Sequence, residues 1–430
     1  MATARGGRPS VCFLVVGHNL LSSAGPTRNV LSLARALSDF ADVTVAFRQV
    51  LEPLAGEPFS VLEIDPRRRG YRRPIDDAAV RGVGFLEFAA YLRALDRFCH
   101  RHLTSFDVVL EKSWVLTGHI TSWCLARGIA AVPVVNLVPL VRHIRNRPLK
   151  ATKNWVARGL SGRYLRRAPQ LIAESEDLKA SIMQQWRVAS ERIEVVGLGV
   201  DRALFHPTDQ GEARRGRGIA ADRTVLMYVG ALDRAHDLRA IIAAVARLGE
   251  TSVELHLVGD GELRPELESA AGGSPRVVFH GRVPHAMVPG LIACADLCLA
   301  PYDPAFFPGG RVGFATLKVR EYLAAGRAVA TSRTGVLPGL IQPGVSGFLL
   351  ENDAATWTRF LLQELPDRSV LRTMGLRAAD TLLESWEETA RAYWRVCEGL
   401  LARTGESSAG GHPASVTRAA GGRPAGARGR

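Results

Sequence analysis

The stretch from residue 309 to residue 330 carries the residues best suited to bind a charged ligand. It joins a loop containing Gly309, Gly310 and Gly313 to a short predicted helix, Leu317 to Ala325. The free N–H groups of a first helical turn and the positive end of the helix dipole favour a phosphate group. The sequence therefore predicts an anion site where this loop enters the helix.

Two charged side chains follow on one face of that helix. Lys318 stands one residue inside the first turn and Glu321 lies three residues later, so both project from the same side. A cation for phosphate beside a carboxylate for hydroxyl groups suits a nucleotide-sugar. The same residues also fit an ordinary loop, helix and strand with a solvated lysine and glutamate, and this stretch alone leaves both interpretations open.

The first half of the chain alternates short apolar runs with amphipathic helical patterns. The run Val11 to Gly17 is followed by a loop containing Gly25, and then by a helix for which Thr27 is the predicted N-cap. Further apolar runs lie at 43–47, 61–64, 108–110, 132–135 and 171–173. This alternation predicts a parallel, doubly wound sheet, and Gly25 would let the backbone approach a ligand closely.

The second half repeats the alternation after a polar stretch rich in Arg and Gly. We interpret residues 208–223 as a linker between an N-terminal Rossmann-like domain, 1–207, and a C-terminal one, 224–385. A helix over 386–403 is expected to pack back on the N-terminal domain. Residues 404–430 are dominated by Gly, Ala, Ser, Pro and Arg, which cannot bury a core, so we expect this tail to be disordered.

The sequence also bears on where the protein is located and on the redox state of its cysteines. No run of 18 apolar residues occurs and the first residues do not resemble a signal peptide, so we expect a cytoplasmic protein. The six cysteines form no CxxC pair or zinc spacing and should be reduced core residues.

The formal charge of +13 is concentrated in two clusters, Arg67 to Arg73 and Arg142 to Arg167. The second cluster interleaves Trp155, Leu160 and other apolar residues at roughly helical spacing. It could rest on the anionic inner face of a membrane, or it could be an ordinary helix packed on the sheet with a solvated basic face. Nucleic-acid binding has the charge but no recognised motif, and we do not expect it.

Seven segments in a fixed order resemble the GT-B glycosyltransferases, and more narrowly the retaining, nucleotide-sugar-dependent family 4. They cover nearly the whole ordered chain, and their order and spacing together make the resemblance specific. They are GPTRNVLSLARAL from Gly25, VVGLGVDRALFHP from Val195, YVGAL from Tyr228, HLVGDGELRPELE from His256, FHGRVPHAMVPGLIACADLCLAPY from Phe279, TLKVREYLAAGRAV from Thr316 and GVSGFLL from Gly344.

The resemblance implies two Rossmann-like domains facing each other across a cleft, and transfer of a sugar from a nucleotide-diphosphate-sugar to an acceptor hydroxyl. Lys318 matches the lysine of a Lys-x-x-Glu-Tyr subgroup, where it would face the diphosphate. Glu321 matches the downstream member of a glutamate pair, where it would hold the ribose hydroxyls. Gly313 stands where many members carry the upstream glutamate.

Other matches are weaker or altered. The Arg and Lys that many members carry after the first C-terminal strand fall at Ala231 and His236, and we expect Arg234 to supply the missing charge. In the N-terminal half Glu111 and Lys112 resemble an acid-base pair of a subgroup, and Asn136 resembles a subgroup asparagine. The resemblance implies catalytic roles for Glu111 and Asn136 and a substrate-binding role for Lys112. A histidine of some members would fall near Pro139, and His119 is expected to be structural. The remaining predicted substrate-binding residues are Gly25, Gly230, Gly259, Arg282, Gly310, Gly313, Thr316 and Leu317.

No Asp-x-Asp motif occurs, so the expected enzyme is metal-independent and uses the nucleotide-sugar as co-substrate with no cofactor. The alternative is a non-catalytic nucleotide-sugar-binding or anion-binding protein of the same fold, in which Gly313, Ala231 and Pro139 mark lost activity.

Overall fold

The structure of the protein is a computed structural model, which describes residues 7–20, 25–66, 85–137, 148–248, 252–307, 311–313, 316–351, 353–381 and 383–409. Within these residues the chain forms two parallel sheets, each flanked by helices, and the predicted fold class is confirmed.

The N-terminal sheet has seven strands in the order β3-β2-β1-β4-β5-β6-β7. Its strands are β1 Ser10–Val15, β2 Asp42–Phe47, β3 Ser60–Glu63, β4 Val108–Lys112, β5 Ala130–Val135, β6 Leu171–Ala173 and β7 Ile193–Val195. Its helices are α1 Gly25–Leu37, α2 Phe85–His102, α3 His119–Leu125, α4 Pro148–Leu165 and α5 Glu176–Trp186. The central strands are buried on both faces, which is why they consist of continuous apolar runs.

The C-terminal sheet has six strands in the order β10-β9-β8-β11-β12-β13. Its strands are β8 Thr224–Val229, β9 Val253–Val258, β10 Val277–Gly281, β11 Leu297–Ala300, β12 Ala328–Ser332 and β13 Gly347–Leu350. The helices are α6 Gln210–Arg215, α7 Arg239–Arg247, α8 Arg264–Ala271, α9 Val288–Ile292, α10 Leu317–Ala324, α11 Ala354–Arg359, α12 Arg368–Ala379 and α13 Trp386–Ala409.

The strand order reverses once in each sheet, between β1 and β4 and between β8 and β11. In open parallel sheets, ligands bind beside the carboxyl ends of the strands at such a point. The residues that follow β1, β4, β8 and β11 are therefore the first place to look for a site.

Helix α13 crosses back to the first sheet. Trp386, Ala390 and Tyr393 share one buried cluster with β1 and α1, and Trp394 stacks on Phe40 with ring centroids 6.4 Å apart. The backbone of residues 404–409 is helical, although the sequence predicted disorder there, because α13 continues through them. Residues 410–430 lie outside the described residues, and the domain boundaries stay predictions.

Part of the predicted linker is folded. Asp209 caps α6 by accepting a hydrogen bond from the Glu212 N–H, and the buried Arg214 pairs with Asp296 at 2.7 Å. These contacts attach residues 209–215 to the C-terminal sheet.

All six cysteines are buried and unpaired. Burial raises the pKa of the Cys99 and Cys397 thiols to about 12, so these sulfurs stay protonated. In the described part of the chain, no helix has both the length and the apolar character needed to cross a bilayer.

Candidate functional site

Helix α10 lies between the two domains. Val319, Tyr322 and Leu323 pack into the C-terminal core, whereas Leu317 at the start of the helix packs against the N-terminal core. The N-cap residue Thr316 makes no side-chain capping bond. The N–H groups at the start of α10 are therefore not occupied by a side-chain cap. They lie at the boundary between the domains, where an anion could bind them.

Lys318 is held against two aromatic rings. Its Nζ donates a hydrogen bond to the hydroxyl of Tyr228 at 3.1 Å, and lies 4.4 Å from the centroid of that ring and 5.6 Å from that of Tyr302. Burial lowers the pKa of Lys318 to about 7, against the opposing charges of Asp233 and Glu321. An amine removed from water in this way gains strongly from an anionic ligand.

Asp233 and His236 lie in the loop that follows β8, close to this lysine. The Nδ1 of His236 is 2.8 Å from Asp233 Oδ1. Burial and the charge of Lys318 lower the pKa of His236 to about 4, so the ring is neutral at pH 7 and Nδ1–H donates to the carboxylate. Despite burial, this hydrogen bond holds the pKa of Asp233 below its usual value.

Glu321 is only 8% exposed. His285 Nε2 is 3.7 Å from its Oε1, which is beyond hydrogen-bond distance, and that ring nitrogen is buried with no hydrogen-bond partner among the described residues. Arg28 of the N-terminal domain lies within electrostatic range of the carboxylate. Two polar groups that need partners thus meet at this point, and a ligand carrying hydroxyls could satisfy them.

Two predicted glycines hold the loops beside Lys318. A Cβ at Gly230 would come within 2.5 Å of Lys318 Nζ, and one at Gly259, where φ is +134°, would overlap the carbonyl oxygen of Gly230. The Gly230 N–H donates to Val258 O, which ties the two loops together. Glycine at these positions allows the loop after β9 to lie directly against the loop after β8.

We expect Gly259→Ala to lower the free energy of unfolding by about 2 to 4 kcal/mol, because two backbone segments must separate. It should also weaken nucleoside diphosphate binding, because the loop of Asp233 and His236 moves. The measurements are denaturant titration and calorimetry. Gly272→Ala is the matched control, since φ is +58° there but a Cβ meets nothing within 4 Å. Equal losses in both variants would contradict this account.

Two other predicted donor-side residues, Arg234 and Arg282, are exposed. The Arg234 side chain is 64% exposed, and its Nε is 3.7 Å from Glu262 Oε1. Arg282 is exposed in the turn after β10. Gly310 lies outside the described residues, as does Pro139. The proposed role of Arg234 in charge stabilisation stays a prediction.

Gly313 contacts the N-terminal domain. The Ser175 hydroxyl, which also caps α5, donates to its carbonyl oxygen, and Leu178 is the nearest side chain to an added Cβ, at 3.6 Å. Beside it, Arg311 pairs with Asp177 at 2.8 Å. Gly313, which stands where many family members carry the upstream glutamate, thus lies where α5 meets the loop before α10.

The structure favours a structural role for Glu111 in place of the predicted acid-base role. Its side chain is completely buried at the end of β4. It accepts hydrogen bonds from Trp114 Nε1, the Gly118 N–H, and both the N–H and the hydroxyl of Thr121, at 2.7 to 2.9 Å. Burial raises the pKa of Glu111, and these four donors oppose that shift. A carboxylate enclosed in this way fixes the start of α3.

Lys112 and Asn136 lie at the carboxyl edge of the N-terminal sheet. The Lys112 Nζ is 3.7 Å from the buried Glu174, whose pKa burial raises. Burial and the charge of Lys112 lower the pKa of His18 to about 4. Asn136 bonds with Ser113 through both its side chain and its N–H. These groups form a polar patch next to the switch point between β1 and β4.

Sequence reasoning missed the partners of Lys318 and Glu321. Tyr228 and Tyr302 follow the pattern of core aromatics, and His285 resembles a surface residue at the start of a helix. Glu174 directly follows a strand, at the same edge as Lys112, and this position could have singled it out.

Two protein-family profiles match the chain. Residues 24–204 match the profile of "Glycosyltransferase Family 4" and residues 223–367 that of "Glycosyl transferases group 1". A D-inositol 3-phosphate glycosyltransferase of Nocardioides is 27% identical over 312 residues, 66% of each chain. The aligned part thus spans just under two thirds of that relative's length.

Solved structures of low sequence identity share the fold. Sucrose-phosphate synthase from Thermosynechococcus elongatus superposes with a TM-score of 0.72 at 19% identity, covering 92% of this chain and all of that one. The Anabaena protein HepE, solved in complex with UDP-glucose, gives a TM-score of 0.61 at 18% identity, covering 93% of this chain and 99% of that one.

Proposed function

The chain belongs to glycosyltransferase family 4, and from this we propose that it transfers a sugar from a nucleotide-diphosphate-sugar to an acceptor hydroxyl with retention of the anomeric configuration. We also assign it to the Lys-x-x-Glu-Tyr subgroup, on Lys318, Glu321 and Tyr322.

One observation carries the proposal. A half-buried amine and a nearly buried carboxylate lie on adjacent turns of α10, at a helix start without a side-chain cap between two domains. Lys318 suits the diphosphate, and Glu321 suits the ribose hydroxyls because a carboxylate accepts from both. That UDP-glucose binds HepE, a protein of the same fold, supports a nucleoside diphosphate donor here.

The chemical step is departure of the diphosphate. As the bond between the anomeric carbon and the phosphate oxygen breaks, its electron pair passes to the diphosphate. Lys318 and the amides of the first turn of α10 stabilise the charge that develops. The acceptor oxygen then bonds to the anomeric carbon from the same face, and its proton passes to the departing diphosphate. Because Lys318 and these amides supply positive charge, we propose that no metal ion is required.

The test is a panel of UDP-, GDP- and ADP-sugars incubated with the purified protein. We expect hydrolysis or transfer from at least one donor, and NMR of the released or transferred sugar should show the anomeric configuration of the donor. An inverted product would contradict retention. Tight nucleotide binding without turnover of any donor would instead select the non-catalytic alternative.

We also propose a lipid surface as the place of the acceptor, from the exposed face of α4. Trp155 is 71% exposed, and Val156 and Leu160 are exposed beside it. The exposed cations nearby are Arg163 on the helix and Arg167 just after its end. The opposite face, with Ser161 and Leu165, is buried against the domain. The helix sequence contains no acidic residue, so this face is both apolar and cationic, as an anionic bilayer requires.

We expect the protein to co-sediment with phosphatidylglycerol-containing vesicles and to bind pure phosphatidylcholine vesicles at least about tenfold more weakly. Trp155→Ser with Leu160→Ser should abolish binding, because the apolar anchor is lost. Leu376→Ser, which changes another exposed leucine on α12, is the control. Absence of binding even at low salt would rule out the membrane, and a concentration-dependent dimer would assign this face to a second copy of the chain.

A further inference from the structure

The cluster around Lys318 is short of positive charge for a diphosphate. Ala231 has no charge, His236 is neutral at pH 7, and the Arg234 guanidinium is exposed beside Glu262. Lys318 is therefore the only cation that the described residues of this cluster bring against the aromatic rings. A bound diphosphate carries at least two negative charges, so a second side-chain cation would stabilise it beyond what Lys318 and the amides of α10 provide.

Arg28 lies on the facing side of the boundary between the domains. It belongs to the first turn of α1, and the neighbouring Val30 and Leu31 are part of the core cluster against which Leu317 packs. The guanidinium is within electrostatic range of Glu321 on α10 and of Asp201. The first turns of α1 and α10 are thus neighbours, and Arg28 approaches the site from the N-terminal domain.

The guanidinium of Arg28 is partly withdrawn from water, yet it makes no hydrogen bond or ion pair among the described residues. Burial lowers its pKa to about 10, so it remains charged at neutral pH. The next residue, Asn29, also has a buried side-chain oxygen without a partner in the described chain. Polar groups left unsatisfied in this way are costly, and their partner is commonly a ligand.

We propose that Arg28 binds the diphosphate of the donor from the N-terminal side, and so supplies the charge that Ala231 and His236 lack. The inference rests on the proposed function. A guanidinium presents two parallel N–H groups to phosphate oxygens, whereas Lys318 acts as a point charge. The leaving group is then held between one cation from each domain, and its binding joins the two domains.

The test compares a nucleoside diphosphate with its nucleoside, by calorimetry on the full-length chain. UDP, GDP and ADP are screened first, and the one that binds is used with uridine, guanosine or adenosine. Arg28→Ala should weaken diphosphate binding by about 10- to 100-fold and leave nucleoside binding unchanged. Arg28→Lys should recover part of the loss. Arg35→Ala, on the same helix but exposed and paired with Glu57, should behave as the wild type.

The other outcomes overturn either the proposed function or the role of Arg28. If no nucleoside diphosphate binds the wild-type protein, the proposed function fails, and this inference with it. If the wild type and Arg28→Ala bind the diphosphate equally, the role of Arg28 is wrong and the proposed function stands. Equal weakening of diphosphate and nucleoside would show that Arg28 maintains the structure of the site, which also overturns its role as a phosphate ligand.

Discussion

Replacing Lys318 by methionine is expected to lower the rate of sugar transfer by about 10²- to 10³-fold while making the folded protein more stable by about 1 to 3 kcal/mol. The rate falls because the charge that develops on the departing diphosphate loses its nearest side-chain cation. Stability rises because methionine fills the space beside Tyr228 without burying an amine.

The pH dependence of stability gives this prediction its sharpest test. The pKa of Lys318 is lowered by burial to about 7 in the folded protein, whereas an unfolded lysine titrates near 10.5. Between these values the unfolded chain binds the proton and the folded chain does not, so the lysine's contribution makes stability rise with pH. Denaturant titrations from pH 7 to pH 9 should show a slope smaller by up to about 1.4 kcal/mol per pH unit in Lys318→Met. An unchanged slope would contradict the lowered pKa of Lys318.

Exchanging Glu321 for glutamine should weaken binding of the nucleoside and of the nucleoside diphosphate to a similar extent, by about 10- to 100-fold. The carboxylate can accept hydrogen bonds from two ribose hydroxyls, whereas an amide offers one oxygen and places a donor where the second hydroxyl binds. Ribose is common to both ligands, so both should be affected. This pattern differs from that of Arg28→Ala, which should spare the nucleoside.

Calorimetry with both ligands measures the effect of Glu321→Gln, and the thermal midpoint of each variant verifies folding. Glu351→Gln, an exposed carboxylate of the same domain, is the matched control. A variant that binds the nucleoside as the wild type does would remove Glu321 from the ribose site, whatever happens to the diphosphate.

The sequence predicted the central strands because their burial on both faces requires continuous apolar runs. β7 escaped prediction because it is three residues long and contains the exposed Glu194. The predicted N-cap at Thr27 was wrong. Helix α1 begins at Gly25, and the buried Thr27 hydroxyl donates to the carbonyl oxygen of Asn19, so its polar group is satisfied by the preceding loop.

In the candidate site, too, features set by local sequence spacing could be predicted, whereas contacts between distant segments could not. Lys318 and Glu321 could be placed on one face of a helix because their spacing alone decides it. The position of Glu174 directly after a strand is visible in the sequence, but its pairing with Lys112 is not, since that depends on strand order across β4, β5 and β6. The approach of Arg28 to Glu321 depends on how two domains dock, which leaves no periodic signal in either segment.

Because every native cysteine is buried, fluorophores can be attached selectively to cysteines introduced at chosen surface positions. A maleimide dye should leave all six native thiols unmodified in the folded protein, because they are inaccessible. Cysteines introduced at the exposed positions Leu51 and Leu376, one in each domain, would then be the reactive pair. Energy transfer between two dyes at these positions would report, molecule by molecule, whether a nucleoside diphosphate brings the two domains of the protein together.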